Sequence, residues 1–386
     1  MVNLTQVRAQ LPTIDRYTYF NYGGQGLLPQ PAIDRLQADP IHLQSLAPFS
    51  SAAYDWSLQA IDHLRTTLAT QLGTTPDQIT LTSNSTEGCN IALWGQPWHP
   101  GDHLVMTDCE HQGIIAIVQE LQKRFNLDVT IAPVQQTLNG GDPVQAIAQC
   151  FTPKTKLVVL SHILWNTGQV IPLEKLVPLC QSQSIQILVD GAQSVGVLPL
   201  NLDELGVEYY AFTTHKWWCG VPGIGALYVK ESIREALRPT AIGWRSIQTD
   251  AQGKPTAWEP GGKRYEISTA PVFAFPATTA AINFHPGSAA DRYAQICANS
   301  RYLWERLRSI PNVTCVSETP PESGLVPFVL QGMPHPRVIR SLEEQQIFVR
   351  LLLDPNCIRA CTHYWTTTEE CDRLVAAIDS TLRLRP

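Results

Sequence analysis

The sequence predicts an α/β protein, a large domain on a mainly parallel sheet covered by helices, followed by a smaller α+β domain at the C-terminal end. Three observations lead there. Short β-branched and leucine runs at 79–82, 103–107, 129–133, 157–163 and 185–189 are separated by segments of helical periodicity such as 114–125 and 173–181. Runs that are apolar along their whole length belong to strands buried on both faces, as in parallel sheets between helix layers. The 386 residues suffice for one large domain and a smaller one with its own core. A polar stretch with Gly and Pro at 248–262 marks a change of composition between them.

Composition narrows the functional classes. A content of 44% hydrophobic and 16% charged residues is that of an ordinary globular chain, and a net charge of −6 offers no basic field to nucleic acid. No apolar run approaches the roughly 20 residues of a membrane span. The start, MVNLTQVRAQLPTIDRY, has none of the charged, apolar and small-residue regions of a secretory signal, so a cytoplasmic location is expected. The ten cysteines are scattered, with no paired spacing that would hold zinc, so no metal site is expected and they read as reduced, mostly buried apolar residues.

Taken in order, the chain opens with a short strand near 17–22, broken by Gly23, Gly24 and Gly26, where backbone can pass close to another segment or to a ligand. A helix starts near Pro29, and Leu58, Ile61, Leu64, Leu68 and Leu72 keep helical spacing. In open α/β sheets ligands bind beyond the carboxyl ends of the strands, which is where chemistry is sought. After the first run, SNSTEGCN places Ser85 and Thr86 at a helix start, either a plain cap or an anion site. After the second, DCEHQG presents His111, a hydrogen-bonded structural histidine or a ring that stacks on a flat group. The fourth run leads to Asn166 in SHILWNTG, and the fifth ends in LVDGAQS with Asp190 and Gln193. Asp190 either caps a turn or faces a heteroaromatic nitrogen as a fixed anion.

Lys216, in TTHKWW, lies between the aromatic run 209–212 and the glycine-rich segment 220–225, with Thr213 and His215 beside it. A lysine in such surroundings either reaches out to water or supplies a desolvated amine that condenses with an aldehyde. An aspartate from one strand, a lysine from a later one and a hydroxyl-rich helix start are together the parts of a pyridoxal-phosphate site.

On these motifs the chain resembles the class V aminotransferase family of fold-type I pyridoxal-phosphate enzymes, which includes cysteine desulfurases, isopenicillin N epimerase and cyst(e)ine lyases. The likeness runs from FNYGGQG to IRACTHYWT, and within the family the C–S lyases look most similar. It implies that Lys216 holds the cofactor aldehyde, Asp190 pairs with the pyridine nitrogen, Gln193 bonds the ring hydroxyl and His111 stacks on the ring. Ser85, Thr86, Thr213 and His215 would bind the phosphate, with Asn166 beside cofactor and substrate. KRYEISTAP resembles a motif whose threonine reaches the cofactor of the partner subunit; Thr269 matches it, although Ser268 replaces a glycine and Ala270 displaces the proline. A homodimer is therefore expected. The family architecture implies an N-terminal arm at 1–22 packing with the small domain, a cofactor-binding domain at 23–255 and a small domain at 256–386.

The C-terminal motifs bear on the reaction. Arg359 matches the family arginine that binds the substrate α-carboxylate, Arg350 matches a second arginine, and Gly24 and Trp244 are further candidates for the substrate pocket. Arg350 is read equally as a structural ion-pair partner, and Trp244 as a core aromatic. Desulfurases carry a longer loop between these arginines, with a cysteine that attacks the substrate sulfur; here only LLLDPNCI intervenes, and Cys357 sits on a short tether. The resemblance thus implies α,β-elimination of cystine, and more weakly cysteine, to pyruvate, ammonia and a persulfide or sulfide. It also implies an acceptor protein for the sulfur and a supply to iron–sulfur cluster assembly. Desulfuration to alanine and a non-catalytic sulfur-carrying or partner-binding role stay open as alternatives.

Overall fold

Two bodies with separate cores, described over residues 3–383 of a computed structural model, account for the sequence pattern. The N-terminal arm contributes β1 (Thr18–Tyr19). The large sheet comprises β2 (Ile79–Thr82), β3 (His103–Thr107), β4 (Asp128–Ala132), β5 (Thr155–Ser161), β6 (Gln186–Asp190), β7 (Tyr209–Thr213) and β8 (Gly225–Val229). Its order is β2-β8-β7-β6-β5-β3-β4, parallel from β7 through β4, with β8 inserted antiparallel between β7 and β2. Alternate residues of one strand serve two cores. Val105 packs with helices Ser51–Gln71 and Leu173–Ser182, while Leu104 and Met106 pack with Ser85–Trp94 and Gln112–Phe125. Each such fully buried aliphatic side chain contributes about 1.5–3 kcal/mol of transfer free energy, which explains strands that are apolar on both faces.

Beyond the sheet, β9 (Ile247–Thr249) and β10 (Pro255–Trp258) form an exposed hairpin. The small body is an antiparallel sheet of β11 (Val313–Cys315), β12 (Leu325–Leu330), β14 (Arg350–Leu353) and β15 (Asn356–Cys361), in the order β11-β12-β15-β14. It packs against helices Ala289–Arg308, His335–Glu344 and Thr368–Arg383. The short β13 (Ile347–Phe348) pairs in parallel with β1, which stitches the arm onto this body, and Phe20 is buried in its core.

Residues 261–283 pack on the first body. Thr80 Oγ1 donates to the Gly262 carbonyl, Glu266 pairs with Arg65 at 2.8 Å, and Ala277 and Ala281 of helix Phe275–Asn283 meet Ala32. On these contacts we propose a division between the bodies in 284–288, where the sequence reading sets it at 256. Among the described residues no helix is long and apolar enough to cross a membrane. All ten cysteines are unpaired.

Candidate active site

The carboxyl ends of β5, β6 and β7 open onto a cavity of about 480 Å³ that the β14–β15 hairpin closes from the other side. Asp190, the last residue of β6, is buried, and its Oδ1 accepts from the Ala192 N–H at 2.9 Å. Burial raises its carboxyl above the ordinary value, opposed by Lys216, the Ala192 N–H and His111. Lys216 follows β7 in a loop tied back by Gly220 N–H to Thr214 O and Cys219 N–H to Lys216 O. Burial brings its ammonium down to about 8; Asp190 resists, and Arg359 pushes the same way as burial. A neutral amine is thus within reach at physiological pH, as nucleophilic and general-base roles require.

The glycines of the opening motif explain how the arm reaches this loop. Any side chain at Gly26 would collide with the Lys216 carbonyl, and the Gly26 N–H donates to His215 O at 2.7 Å. Gly23 lies against Arg359 Nη2, Cys361 Sγ and Gln193 Oε1, and both Gly23 and Gly24 line the cavity.

Ser85 and Thr86 line the cavity at the start of helix Ser85–Trp94, whose cap is Asn84; the Asn84 side chain accepts from the Glu87 N–H at 2.9 Å. Their hydroxyls are therefore not used as the cap, and the first N–H groups of the helix end in the cavity wall. Thr213 and His215 complete that side, their Oγ1 and Nδ1 2.6 Å apart. Burial, reinforced by Lys216, lowers His215 to about 4, so its imidazole is neutral at pH 7. His111 caps helix Gln112–Phe125, with Nδ1 accepting from the Gly113 N–H at 3.2 Å, and its ring meets Trp165 edge-on at 5.9 Å. Gln193 is held by Nε2 donating to Gly23 O at 2.8 Å and Oε1 accepting from Trp217 Nε1 at 2.9 Å, which leaves one amide hydrogen free at the cavity.

On the opposite wall Arg350 and Arg359 stand directly opposite each other in the β14–β15 register, and both line the cavity. Arg359 is buried and donates to the Trp165 carbonyl. Among the described residues neither arginine forms an ion pair with an acid. The hairpin between them turns on two residues, Asp354 and Pro355. Cys357 is fully buried, and burial pushes its thiol up to about 12.

Three expected residues do not line the cavity. Asn166 is buried, its Nδ2 donating to Asp354 O at 3.2 Å. Trp244 is 57% exposed, not a core aromatic, and neither it nor the exposed Thr269 lines the cavity of its own chain. Conversely, Asn21, Ser161 and Trp165 line it without having been singled out by the sequence. Ser161 ends the apolar run of β5 and Trp165 adjoins Asn166, so the strand-end rule could have found both.

Asn21 Oδ1, Trp165 Nε1 and Arg359 Nε, all on lining residues, are buried without a protein partner. Buried polar groups are normally satisfied, so the cavity is built for a polar ligand. An anion site at a helix start, a carboxylate at a strand end and a lysine beside it fit pyridoxal phosphate.

Fold and site together define a lysine-centred α/β enzyme whose cleft has a helix start on one side and two arginines on the other. The chain belongs to the aminotransferase class-V family, whose model matches residues 18–374. Among solved structures, it is 45% identical to the cystine C–S lyase C-DES in complex with its reaction product cysteine persulfide, over 96% of this chain and 99% of that one, with a TM-score of 0.94. A C-DES lysine-to-alanine mutant with glycine covalently linked to its PLP cofactor matches at 44% identity, over 96% of this chain and 98% of that one, with a TM-score of 0.95. A probable cysteine desulfurase of Mycolicibacterium paratuberculosis is 29% identical over 330 residues, 83% of this chain; the match spans 47% of that relative's length.

Proposed function

We propose that this protein is a pyridoxal-phosphate enzyme that cleaves L-cystine by α,β-elimination. The cofactor, when bound, supplies an aldehyde for the substrate amine and a ring that takes up the electron pair left at Cα. Arg359 holds the α-carboxylate in a two-point contact, leaving the Cα–H within reach of Lys216. Lys216 Nζ removes that proton as general base. Asp190 stays an anion and keeps the pyridine nitrogen protonated, while His111 covers the ring and Ser85, Thr86, Thr213 and His215 hold the phosphate. The Cβ–S bond then breaks, and the sulfur leaves with the bonding pair. Water completes the balance, so that cystine and water give pyruvate, ammonia and cysteine persulfide.

The observation that carries this reading is the pairing of Arg350 with Arg359 across a two-residue turn. Two guanidiniums side by side suit a substrate with two carboxylates, and the tight turn leaves no loop on which a cysteine could swing to the sulfur. A persulfide is a better leaving group than a plain thiolate, so cystine outruns cysteine. The deciding experiment incubates the holoenzyme with cystine and identifies the products. Pyruvate with persulfide supports elimination; alanine would establish desulfuration instead.

Trp244 and Thr269 fit a role in a second copy of the chain. The segment around Trp244 abuts Ile267, which is 37% exposed, and Arg245 N donates to its carbonyl at 3.4 Å. Exposed aromatic and aliphatic residues on adjoining loops suit a homodimer contact that places Thr269 at the partner's cofactor. Sedimentation of wild type against Trp244→Asp tests it: a dimer that becomes monomeric is expected, and a wild-type monomer would end the idea.

A further inference from the structure

A buried carboxyl remains that the reaction above does not use. Glu110 closes the turn after β3, immediately before His111, and is 3% exposed. Its partners are three donors: Thr107 Oγ1 at 2.5 Å, the Ser161 N–H at 2.9 Å and Ser161 Oγ at 2.8 Å. The charge that reaches it is Asp190 at the end of β6; Cys89 of helix Ser85–Trp94 and Cys109 of its own turn feel it in return. No cation of the described residues pairs with it. A buried carboxylate without a cation is costly, and the usual relief is to take a proton. Burial accordingly lifts Glu110 to about 7, against the hydrogen bonds from Thr107 and Ser161.

Ser161 links this group to the active site. It lines the cavity and lies in register with Asp190 on the neighbouring parallel strand. When Glu110 is ionised, the Ser161 hydroxyl donates to it. When Glu110 is protonated, Glu110 donates to Ser161 Oγ, and the serine hydrogen turns toward the cavity. One proton from water thus changes two things at the cavity floor, the second negative charge near Asp190 and the direction of a hydroxyl.

We propose that Glu110 is a positioning residue that exchanges this proton and, through Ser161, sets how tightly Asp190 and the pyridine nitrogen share theirs. The inference rests on pyridoxal phosphate being the cofactor, and not on which amino acid is cleaved. It is read on the holoenzyme without substrate, from visible absorbance and circular dichroism against pH. The wild-type spectrum is expected to show a transition near pH 7 that Glu110→Gln removes. Ser161→Ala keeps the carboxylate but takes away one donor, so the same transition moves to higher pH. An unchanged transition in Glu110→Gln overturns the proposal, as does an unchanged midpoint in Ser161→Ala. So does a folded Glu110→Gln protein that binds no cofactor, because the residue would then be structural. If Glu110→Gln does not fold, the serine variant decides alone. A wild-type protein with no visible band would instead strike at the cofactor assignment.

Discussion

The two walls of the cleft treat charge differently. At the strand ends of the large sheet each ionisable group has company: Asp190 accepts from a backbone N–H and faces Lys216 and His111, and Thr213 bonds His215. On the small body's hairpin, two arginines stand opposite each other, and among the described residues no acid pairs with either. Like charges directly opposite destabilise a sheet, so this arrangement persists only because the core behind it, with Phe328 and Ile358 fully buried, holds the strands. The large-sheet wall meets its charges with its own groups, whereas the hairpin wall presents two cations that no acid of the described residues pairs with.

Breaking the large-sheet wall should have the largest effect. Lys216→Ala removes both the point of attachment and the base, so turnover falls by roughly 10³-fold or more and the visible band moves to that of unattached cofactor. Retained pyruvate release would remove Lys216 from the centre of the site. Breaking the other wall acts on the substrate alone. Arg359→Ala raises the apparent KM for cystine on the order of 10- to 100-fold, the worth of a charge-assisted contact, and leaves the resting spectrum in place. Arg350→Ala acts several-fold on cystine and little on cysteine, which has one carboxylate; equal effects on both would show that Arg350 is not reading the second one.

The sequence made one wall more legible than the other. Strand-end chemistry follows a positional rule, so Asp190, Lys216, His111 and the Ser85–Thr86 helix start could be found from the runs that precede them. β8 could not, because its run follows directly on glycines that read as loop, and its antiparallel place in the sheet rests on pairing with β2, far away in the chain. Glu110 was hidden by its type, since glutamate is ordinarily a surface residue and only the fold shows three donors around it. Asn84 was passed over as the cap because the hydroxyls beside it are equally good caps. Thr269 was legible only as part of a motif and Trp244 only as an aromatic of open role, and a single chain does not bring them to its own cavity. The polar stretch at 248–262 contains the exposed β9–β10 hairpin, and a hairpin and a domain junction share the same Gly, Pro and polar composition.

Acid sharpens the comparison through stability. His162, at the end of β5, bonds Tyr210 at 2.9 Å, and burial lowers it to about 3. Beneath the lysine loop, His363 bonds the Trp217 carbonyl at 3.0 Å and stacks on Trp365 at 3.6 Å, with His285 beside it. Burial lowers His285 to about 3 and holds His363 well below its ordinary value. These imidazoles are neutral in the native state but protonate in the unfolded chain below its pKa of about 6.5. The unfolded state then binds more protons, so stability is fully present above about pH 6.5 and falls as pH drops below it, by up to about 1.4 kcal/mol per pH unit for each histidine. Glu110, raised to about 7, and Asp190, held above its ordinary value, act in the opposite sense and offset part of the three histidines' slope. Thermal melts of the cofactor-free protein should show Tm falling between about pH 6.5 and 4.5. A His162→Gln variant should show a shallower fall, and an identical slope would mean that His162 does not titrate on unfolding.

The smallest expected effect is the one that separates the two chemistries. Cys357 is fully buried on β15, its thiol pushed up to about 12, and the adjoining turn has only Asp354 and Pro355. A nucleophilic cysteine needs thiolate character and access, and this one has neither. Cys357→Ser should therefore leave pyruvate formation from cystine within about two-fold of wild type, with a stability cost of about 1–3 kcal/mol from burying a hydroxyl. Loss of sulfur release as complete as in Lys216→Ala, in a variant that still melts cooperatively, would mean that the hairpin opens far enough for Cys357 to reach the substrate. The hairpin wall would then take part in bond breaking and not only in binding carboxylates.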